Sequence, residues 1–182
     1  MMKKNSGITL LALIIIIIVL IIIASISVYE GKELIAKSKV QTLETNMLII
    51  QAKAKSYAEE IDAKIWTEKE EEKDSKRNEE FGKKNFVNPS SSLDSKYENQ
   101  INNEIDKDNY ISYSLSTSTE PQKNALLEMG LDDIENENYI VVYDKKDYQK
   151  IDIVYVDGVS YKGVQYFTLS NLKNALSEES DN

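Results

Sequence analysis

The sequence Lys3–Val28, KKNSGITLLALIIIIIVLIIIASISV, joins a short basic start to a long apolar run. The run begins at Ile8, lasts about twenty residues and meets no charged side chain before Glu30. At about 1.5 Å of rise per residue, a helix of this length crosses the roughly 30 Å hydrocarbon core of a bilayer. Only a helix pairs every backbone group of such a run in lipid. We therefore predict a transmembrane helix over residues 8–28, with the basic amino end in the cytoplasm and the remainder outside.

The same stretch resembles the start of the type IV pilins and pseudopilins, whose precursors carry a short basic leader ending in Gly before an apolar mature terminus. The residues that match this pattern are Lys3, Lys4, Gly7, Ile8, Thr9, Leu10 and Leu11. The resemblance implies a leader over residues 1–7, which a membrane prepilin peptidase removes by cutting between Gly7 and Ile8. It also implies methylation of the new amine of Ile8.

One position departs from the family pattern. The fifth mature residue of these proteins is usually Glu, and this chain has Ala12 there. In the family's filaments that Glu is thought to pair with the amine of a neighbouring subunit, an interaction that is strong at low dielectric. Family members without it include a minor pseudopilin at the filament tip. The resemblance thus implies a minor component, whose partners are the peptidase, other pilin or pseudopilin subunits and the assembly platform.

Two simpler interpretations of the run remain open. A cleaved secretory signal has a shorter apolar region, about 7 to 15 residues, and small residues before the cut, for which Ser25 and Ser27 are the candidates. A plain signal anchor for an extracellular domain requires no Gly7. The three hypotheses give the same membrane topology until processing, so they differ in where the mature chain begins.

Composition excludes several classes of function. The chain has 182 residues and a formal net charge of −9, a balance that repels polyanions, so we expect no nucleic-acid partner. Cysteine and histidine are absent, which excludes disulfides, thiolate or imidazole metal ligands, and nucleophilic catalysis by Ser-His or Cys-His pairs. We therefore predict no enzymatic activity, no catalytic residue, no metal site and no cofactor.

Acidic and aromatic clusters offer weaker alternatives. Some carboxylates in predicted turns are of the type that binds calcium, but they lack the spacing of a recognised calcium loop: Asp132, Asp133, Glu135, Asp144 and Asp147. Several strand tyrosines either form an adhesive surface or pack on a half-buried sheet, which is their usual role: Tyr139, Tyr143, Tyr155, Tyr161 and Tyr166. We interpret the carboxylates as solvated turns and the tyrosines as packing residues.

Beyond the membrane run the helical pattern continues over residues 29–66. Apolar residues recur at spacings of mostly three and four, which draws one stripe along a helix. They are Ile35, Val40, Leu43, Met47, Ile50, Ala54, Ala58, Ile61 and Ile65. The stripe predicts either a two-stranded coiled coil or a face that packs on the chain's own domain.

The remainder is predicted as a charged connection followed by a small domain. Residues 67–109 continue as a charged helix end and then a loop marked by Gly82, Pro89 and a run of serines, with an amphipathic piece that packs through Tyr97, Ile101 and Ile105. Residues 110–176 contain an edge strand over 110–115, a short helix ending at Gly130, and three β-branched and aromatic strands. Asp157-Gly158 is interpreted as a turn, Ser170 as the cap of a last helix, and residues 177–182 as a polar tail.

Taken together, these patterns predict an α+β, pilin-like fold in which a long N-terminal helix precedes a small antiparallel sheet. The predicted function is that of a structural subunit, a minor component of a type IV pilus or a type II secretion-like pseudopilus. It would reside in the cytoplasmic membrane with its C-terminal domain outside, and then in a cell-surface filament. The alternative is a single-pass anchored extracellular domain with a binding or sensing role.

Overall fold

The computed structural model describes residues 10–90, 92–115, 124–134 and 137–180. Of the side chains between Leu10 and Glu33, it describes those of Ile16, Ile17, Ile18 and Leu20. The chain divides into two compact units, Met1–Val40 and Gln41–Asn182. Helix α1, Leu10–Ile65, contributes residues to both units.

The second unit is an α+β fold built around an antiparallel meander. Its strands are β1 (Val87–Ser90), β2 (Tyr110–Ser114), β3 (Tyr139–Asp144), β4 (Ile151–Tyr161) and β5 (Val164–Thr168). They lie side by side in chain order, and every neighbouring pair is antiparallel. Shorter helices accompany them in the described part of the chain: α2 (Glu70–Lys83), α3 (Ser95–Glu98), α4 (Ala125–Glu128) and α5 (Leu169–Ser180). A 3₁₀ turn covers Asp132–Ile134.

The apolar stripe of α1 packs on one face of this sheet. Its members from Met47 onward are almost fully buried, as the helical period predicts: Met47, Ile50, Ala54, Ala58, Ile61 and Ile65. The Tyr143 hydroxyl donates to the carbonyl oxygen of Ala54 at 3.1 Å. The side-chain amide of Gln51 donates to the carbonyl oxygen of Ile151 at 3.0 Å. The stripe is thus a packing face for the chain's own domain. The inclusion of Ile35 was wrong, because 59% of that side chain is exposed.

The opposite face of the sheet is covered by the segment that precedes β2. A cluster of buried side chains joins this segment to β2, β3 and β4: Tyr97, Ile101, Ile105, Tyr110, Val142 and Val154. The predicted packing through Tyr97, Ile101 and Ile105 is confirmed, although only Ser95–Glu98 is helical. The sheet therefore has an apolar layer on each face.

Residues 67–109 are more ordered than a charged connection. Helix α2 places the side chain of Phe81 in the core. The centroid of the Phe81 ring lies 4.8 Å from that of the Tyr113 ring and 5.1 Å from that of the Tyr143 ring. Phe86 is 5.1 Å from Phe81 and is also buried. Strand β1 follows and pairs with β2, so β2 is an inner strand and its prediction as an edge strand was wrong. Burial of two phenylalanines fixes the segment despite its charged surroundings.

The turns differ from the prediction at two places. Asp157 and Gly158 lie inside β4, where the β4–β5 register shifts, so they form a bulge rather than a turn. The hairpin turn is Lys162-Gly163, both with positive φ, as a two-residue turn of the mirror-image type requires. The predicted cap at Gly130 is confirmed by its φ of 76°.

The last helix begins and ends differently from the prediction. It starts at Leu169, and the side chain of Thr168, not of Ser170, accepts the hydrogen bond from the Asn171 N–H at 3.3 Å. Helix α5 continues to Ser180, so the polar tail predicted from Ser177 is helical over most of its length.

Gly158 provides a test of the bulge. Its φ is +66°, and a Cβ added there would lie 2.5 Å from both the Gln165 amide nitrogen and the Phe167 ring. Gly158→Ala should therefore lower the free energy of unfolding by about 2–4 kcal/mol, through backbone strain together with overpacking. Urea denaturation of the full-length protein measures this loss.

The matched control is Gly163→Ala. Gly163 has a φ of +80° but no atom within 4 Å of an added Cβ, so it reports backbone strain alone, about 1 kcal/mol. Equal losses in the two variants would show that the Phe167 ring does not resist the added methyl group.

Candidate functional site

The predicted processing residues lie at the boundary of the described structure. Lys3, Lys4, Gly7, Ile8 and Thr9 lie outside the described residues. Leu10 is the first residue of α1, and Ala12 lies in its first turn. Within the described part of the chain, no helix is both long and apolar enough to cross a membrane. The cleavage site, the motif around it and the membrane span therefore stay predictions from the sequence.

The first unit nevertheless has a distinctive surface. The four described side chains of the apolar run are all exposed, Ile16, Ile17 and Ile18 by about half and Leu20 by 59%. Successive residues of an α-helix are separated by about 100°, so three consecutive isoleucines point to three different sides. A helix that is apolar all round is typical of a buried or membrane-spanning position. The described side chains of the first unit therefore form an exposed apolar surface on more than one side of the helix.

In the second unit, the side of α1 that faces away from the sheet is also unusual. The exposed side chains on this side between Gln41 and Ser56, which we call the outer face of α1, carry no charge. They are Gln41, Thr42, Thr45, Leu48, Ile49, Ala52 and Ser56. The charged residues of this stretch, Glu44, Lys53 and Lys55, lie on the flanks. In a chain whose residues are 29% charged, this uncharged exposed surface extends along about four helical turns.

The candidate calcium ligands do not converge. Asp132 and Asp133 are exposed on the 3₁₀ turn, and Glu135 lies outside the described residues. Asp144 is buried and accepts three backbone N–H bonds, from Asp106, Lys146 and Asp147, at 2.7–3.2 Å. Among the residues that the structure describes, no group of three or more acidic side chains is placed to hold a metal ion. Asp144 instead orders the β3–β4 turn and the loop before β2.

The candidate tyrosines are packing residues. Tyr139, Tyr143 and Tyr161 are buried, and Tyr155 and Tyr166 are partly buried. Burial raises the pKa of the Tyr143 hydroxyl well above its ordinary value, so this group remains a neutral donor to α1. The interpretation of these residues as packing on the sheet is therefore confirmed for Tyr139, Tyr143 and Tyr161.

The sequence does not predict the contacts of two polar side chains, one partly buried and one fully buried. The guanidinium of Arg77, the only arginine of the chain, lies 4.1 Å above the Tyr148 ring and pairs with Asp62 at 2.8 Å, which joins α2 to α1 and to the β3–β4 turn. Asp152 is fully buried. Its carboxylate accepts hydrogen bonds from the Asn102 and Ile153 backbones and from both the backbone and the hydroxyl of Ser170.

Burial raises the pKa of the Asp152 carboxyl, and the hydrogen bonds from Ser170, Asn102 and Ile153 oppose that shift. Because these four donors come from three separate segments, Asp152 ties α5 and the loop after α3 to β4. Nothing in the neighbouring sequence predicts that Arg77 or Asp152 is removed from solvent, because arginine and aspartate side chains are ordinarily exposed.

Comparison with known proteins adds no identification. No family model matches the sequence, and neither the curated proteins nor the solved structures contain a match.

Asp144 gives a test that separates a structural role from calcium binding. Asp144→Asn replaces one acceptor oxygen by an NH₂ group that faces a backbone N–H, so we expect a loss of about 1–3 kcal/mol in the free energy of unfolding. The loss should be the same with added calcium and with a chelator. Urea denaturation under both conditions measures it.

Asp133→Asn is the control. Asp133 is exposed, so the change should stay within about 0.5 kcal/mol. A calcium-dependent gain in stability that disappears in Asp144→Asn would contradict the structural role.

Proposed function

We propose that this chain is a pilin-like structural subunit, a minor component of a type IV pilus or a type II secretion-like pseudopilus. The observation that carries the proposal is the helix surface of Ile16, Ile17, Ile18 and Leu20, apolar on every side, which follows the Gly7-Ile8 junction. An isolated globular protein has no place for such a surface. In a filament subunit this apolar surface contacts lipid before assembly and the helices of neighbouring subunits afterwards.

Processing begins the proposed sequence of events. Lys3 and Lys4 hold the amino end at the cytoplasmic face, where prepilin peptidase cuts between Gly7 and Ile8 and methylates the new amine. Gly7 has no Cβ, so the peptidase can approach the scissile peptide closely. The motif residues Thr9 and Leu10 continue into the helix that stays in the membrane.

Assembly then proceeds through the helix. Between Ile8 and Val28 the chain exchanges contacts with lipid for contacts with neighbouring subunits, so little apolar surface meets water at any stage. The outer face of α1 supports the same function in the second unit, because it is uncharged where a solvated helix would carry charge. The buried stripe on the other side of the helix is already used by the sheet, so the two faces have separate roles.

Ala12 gives the subunit a minor position. A Glu in lipid costs several kcal/mol unless it is paired, and Ala12 removes both that cost and the attraction for a neighbour's amine. Such a subunit is stable in the bilayer but lacks the anionic partner of a shaft position. It therefore depends on other pilins or pseudopilins that carry the Glu.

The proposed processing can be tested at Gly7. Mature protein from the native host should begin at Ile8 with a methylated amine, and Gly7→Val should remain unprocessed in the membrane because a branched Cβ obstructs the scissile bond. Mass spectrometry of the N-terminal peptide reads both results. Ser6→Ala is the matched control, since it alters the leader without adding bulk at the cut, and it should be processed normally.

The alternatives give different termini in the same measurement. A mature start at Met1 or Met2 supports a single-pass anchored domain with a binding or sensing role, and a start near Val28 supports a cleaved secretory signal. Normal amounts of Gly7→Val protein in sheared filaments would contradict the processing mechanism.

The proposed minor role can be tested at Ala12. The protein should be scarce within filaments and should form none when it is expressed alone with the assembly machinery. Ala12→Glu should raise its incorporation, because it restores the carboxylate that pairs with a neighbour's amine. Quantitative mass spectrometry of purified filaments measures both effects.

Ala24→Glu provides the control, because it places the same charge deeper in the run, away from any mature amine, and should lower the amount of protein in the membrane. An abundance of unsubstituted protein comparable to that of the major subunit would contradict the minor role.

A further inference from the structure

Strand β5 forms one edge of the described sheet. Tyr161 and Val164 pair across the two-residue turn, so Val164 and Tyr166 direct their backbone groups toward β4. Gln165 and Phe167 alternate with them and direct theirs outward. An edge of this kind is a template for the addition of another strand.

The side chain of Gln100 occupies this edge. Its amide nitrogen donates to the carbonyl oxygen of Gln165 at 3.0 Å, and its amide oxygen accepts from the N–H of Phe167 at 2.9 Å. The backbone carbonyl of Gln100 also accepts from the Thr168 hydroxyl at 2.6 Å. One carboxamide therefore makes two of the bonds that the backbone of an added strand would make.

The chain around Gln100 is held firmly. Tyr97 and Ile101 are both buried, and the Tyr97 ring meets that of Phe167 edge to face at 5.3 Å between centroids. The Tyr97 hydroxyl donates to the carbonyl oxygen of Val156, and the N–H of Asn102 donates to the buried carboxylate of Asp152 at 2.8 Å. The carboxamide is thus positioned before any other strand approaches.

The other edge of the sheet is closed by different means. Strand β1 contains Pro89, which has no backbone N–H, and its pairing with β2 is irregular. Short strands, proline and bulges are the devices that discourage pairing between sheet edges. Gln100 is the corresponding device at β5.

We propose that Gln100 caps the β5 edge and prevents strand addition by a second copy of this chain. The inference does not rest on the proposed filament function, since it follows from the hydrogen bonds of the folded unit. Its consequence is that contacts between copies avoid β5 as long as Gln100 is in place. Loss of the cap exposes the outward groups of Gln165 and Phe167, and two such edges can then pair.

The test compares Gln100→Met with the unsubstituted full-length protein in detergent micelles. Methionine keeps the length and the apolar stem but makes neither edge bond. We expect the dimer dissociation constant to fall roughly tenfold or more in sedimentation experiments, since a new strand pair adds several hydrogen bonds. Hydrogen exchange at the Phe167 amide should be fast in dilute variant and slow again at concentrations where it dimerises.

Two further variants complete the experiment. Gln149→Ala, in the β3–β4 turn and away from both edges, should behave like the unsubstituted protein. Gln100→Ala removes the whole side chain and should dimerise as Gln100→Met does. Unchanged association of a folded Gln100 variant, or dimers in which the Phe167 amide still exchanges rapidly, would overturn the proposal. Loss of the folded unit in both Gln100 variants would also overturn it, because Gln100 would then be a residue of stability alone.

Discussion

The hydroxyl of Tyr143 reaches the carbonyl oxygen of Ala54 inside the core, where both atoms are shielded from water. This hydrogen bond requires α1 to lie close to the central strand β3, and the small side chains of Ala54 and Ala58 permit that approach. A carbonyl has two lone pairs, so Ala54 can accept from Tyr143 without giving up its bond within the helix. The remaining large members of the stripe, from Met47 to Ile65, then fill the space on either side. Because the rings of Phe81 and Tyr113 pack directly on Tyr143, the position of α2 and of β2 depends on the same contact.

Arg77 extends this arrangement to the surface. Its planar guanidinium stacks on Tyr148 and donates two bonds to one oxygen of Asp62, at 2.8 and 3.2 Å. A lysine at this position would provide a point charge without the planar contact, which explains why the chain uses its only arginine here. The ion pairs between Lys64 and Glu60 and between Lys64 and Glu80 lie at the same junction of α1 and α2, but they are exposed and contribute little individually. The junction is therefore held mainly by aromatic packing and by one partly buried guanidinium.

The sequence predicted the α+β class, the packing stripe of α1 and the strands β3, β4 and β5, because each has a period that local residues determine. The sequence-based prediction was wrong where a local pattern is compatible with two structures, or where burial depends on residues far along the chain. Asp157-Gly158 has the composition of a hairpin turn, yet the glycine is needed because Phe167 lies where a Cβ would be. Phe81 lies in a run of charge that gives no warning of burial, since its partners Tyr113 and Tyr143 come much later in the chain. The prediction of the processing residues rests on neighbouring residues alone. Gly7 and Ile8 lie outside the described structure, so that prediction is not tested.

Helix α1 meets two different solvation requirements along its length. In the first unit, the described side chains Ile16 to Ile18 are apolar on every side, so no single packing face can cover them. In the second unit, the buried stripe is covered by the sheet, and the outer face is uncharged, with five polar or small side chains beside Leu48 and Ile49. The stripe of α1 in the second unit is therefore covered within the chain, whereas the described isoleucines of the first unit are exposed. At the two described sheet edges, Gln100 bonds to β5 and Pro89 lies in β1, and both are features that disfavour strand addition. Within the second unit, one side of α1 is thus buried by the sheet and the other side stays exposed, so the two sides of the same helix have different surroundings.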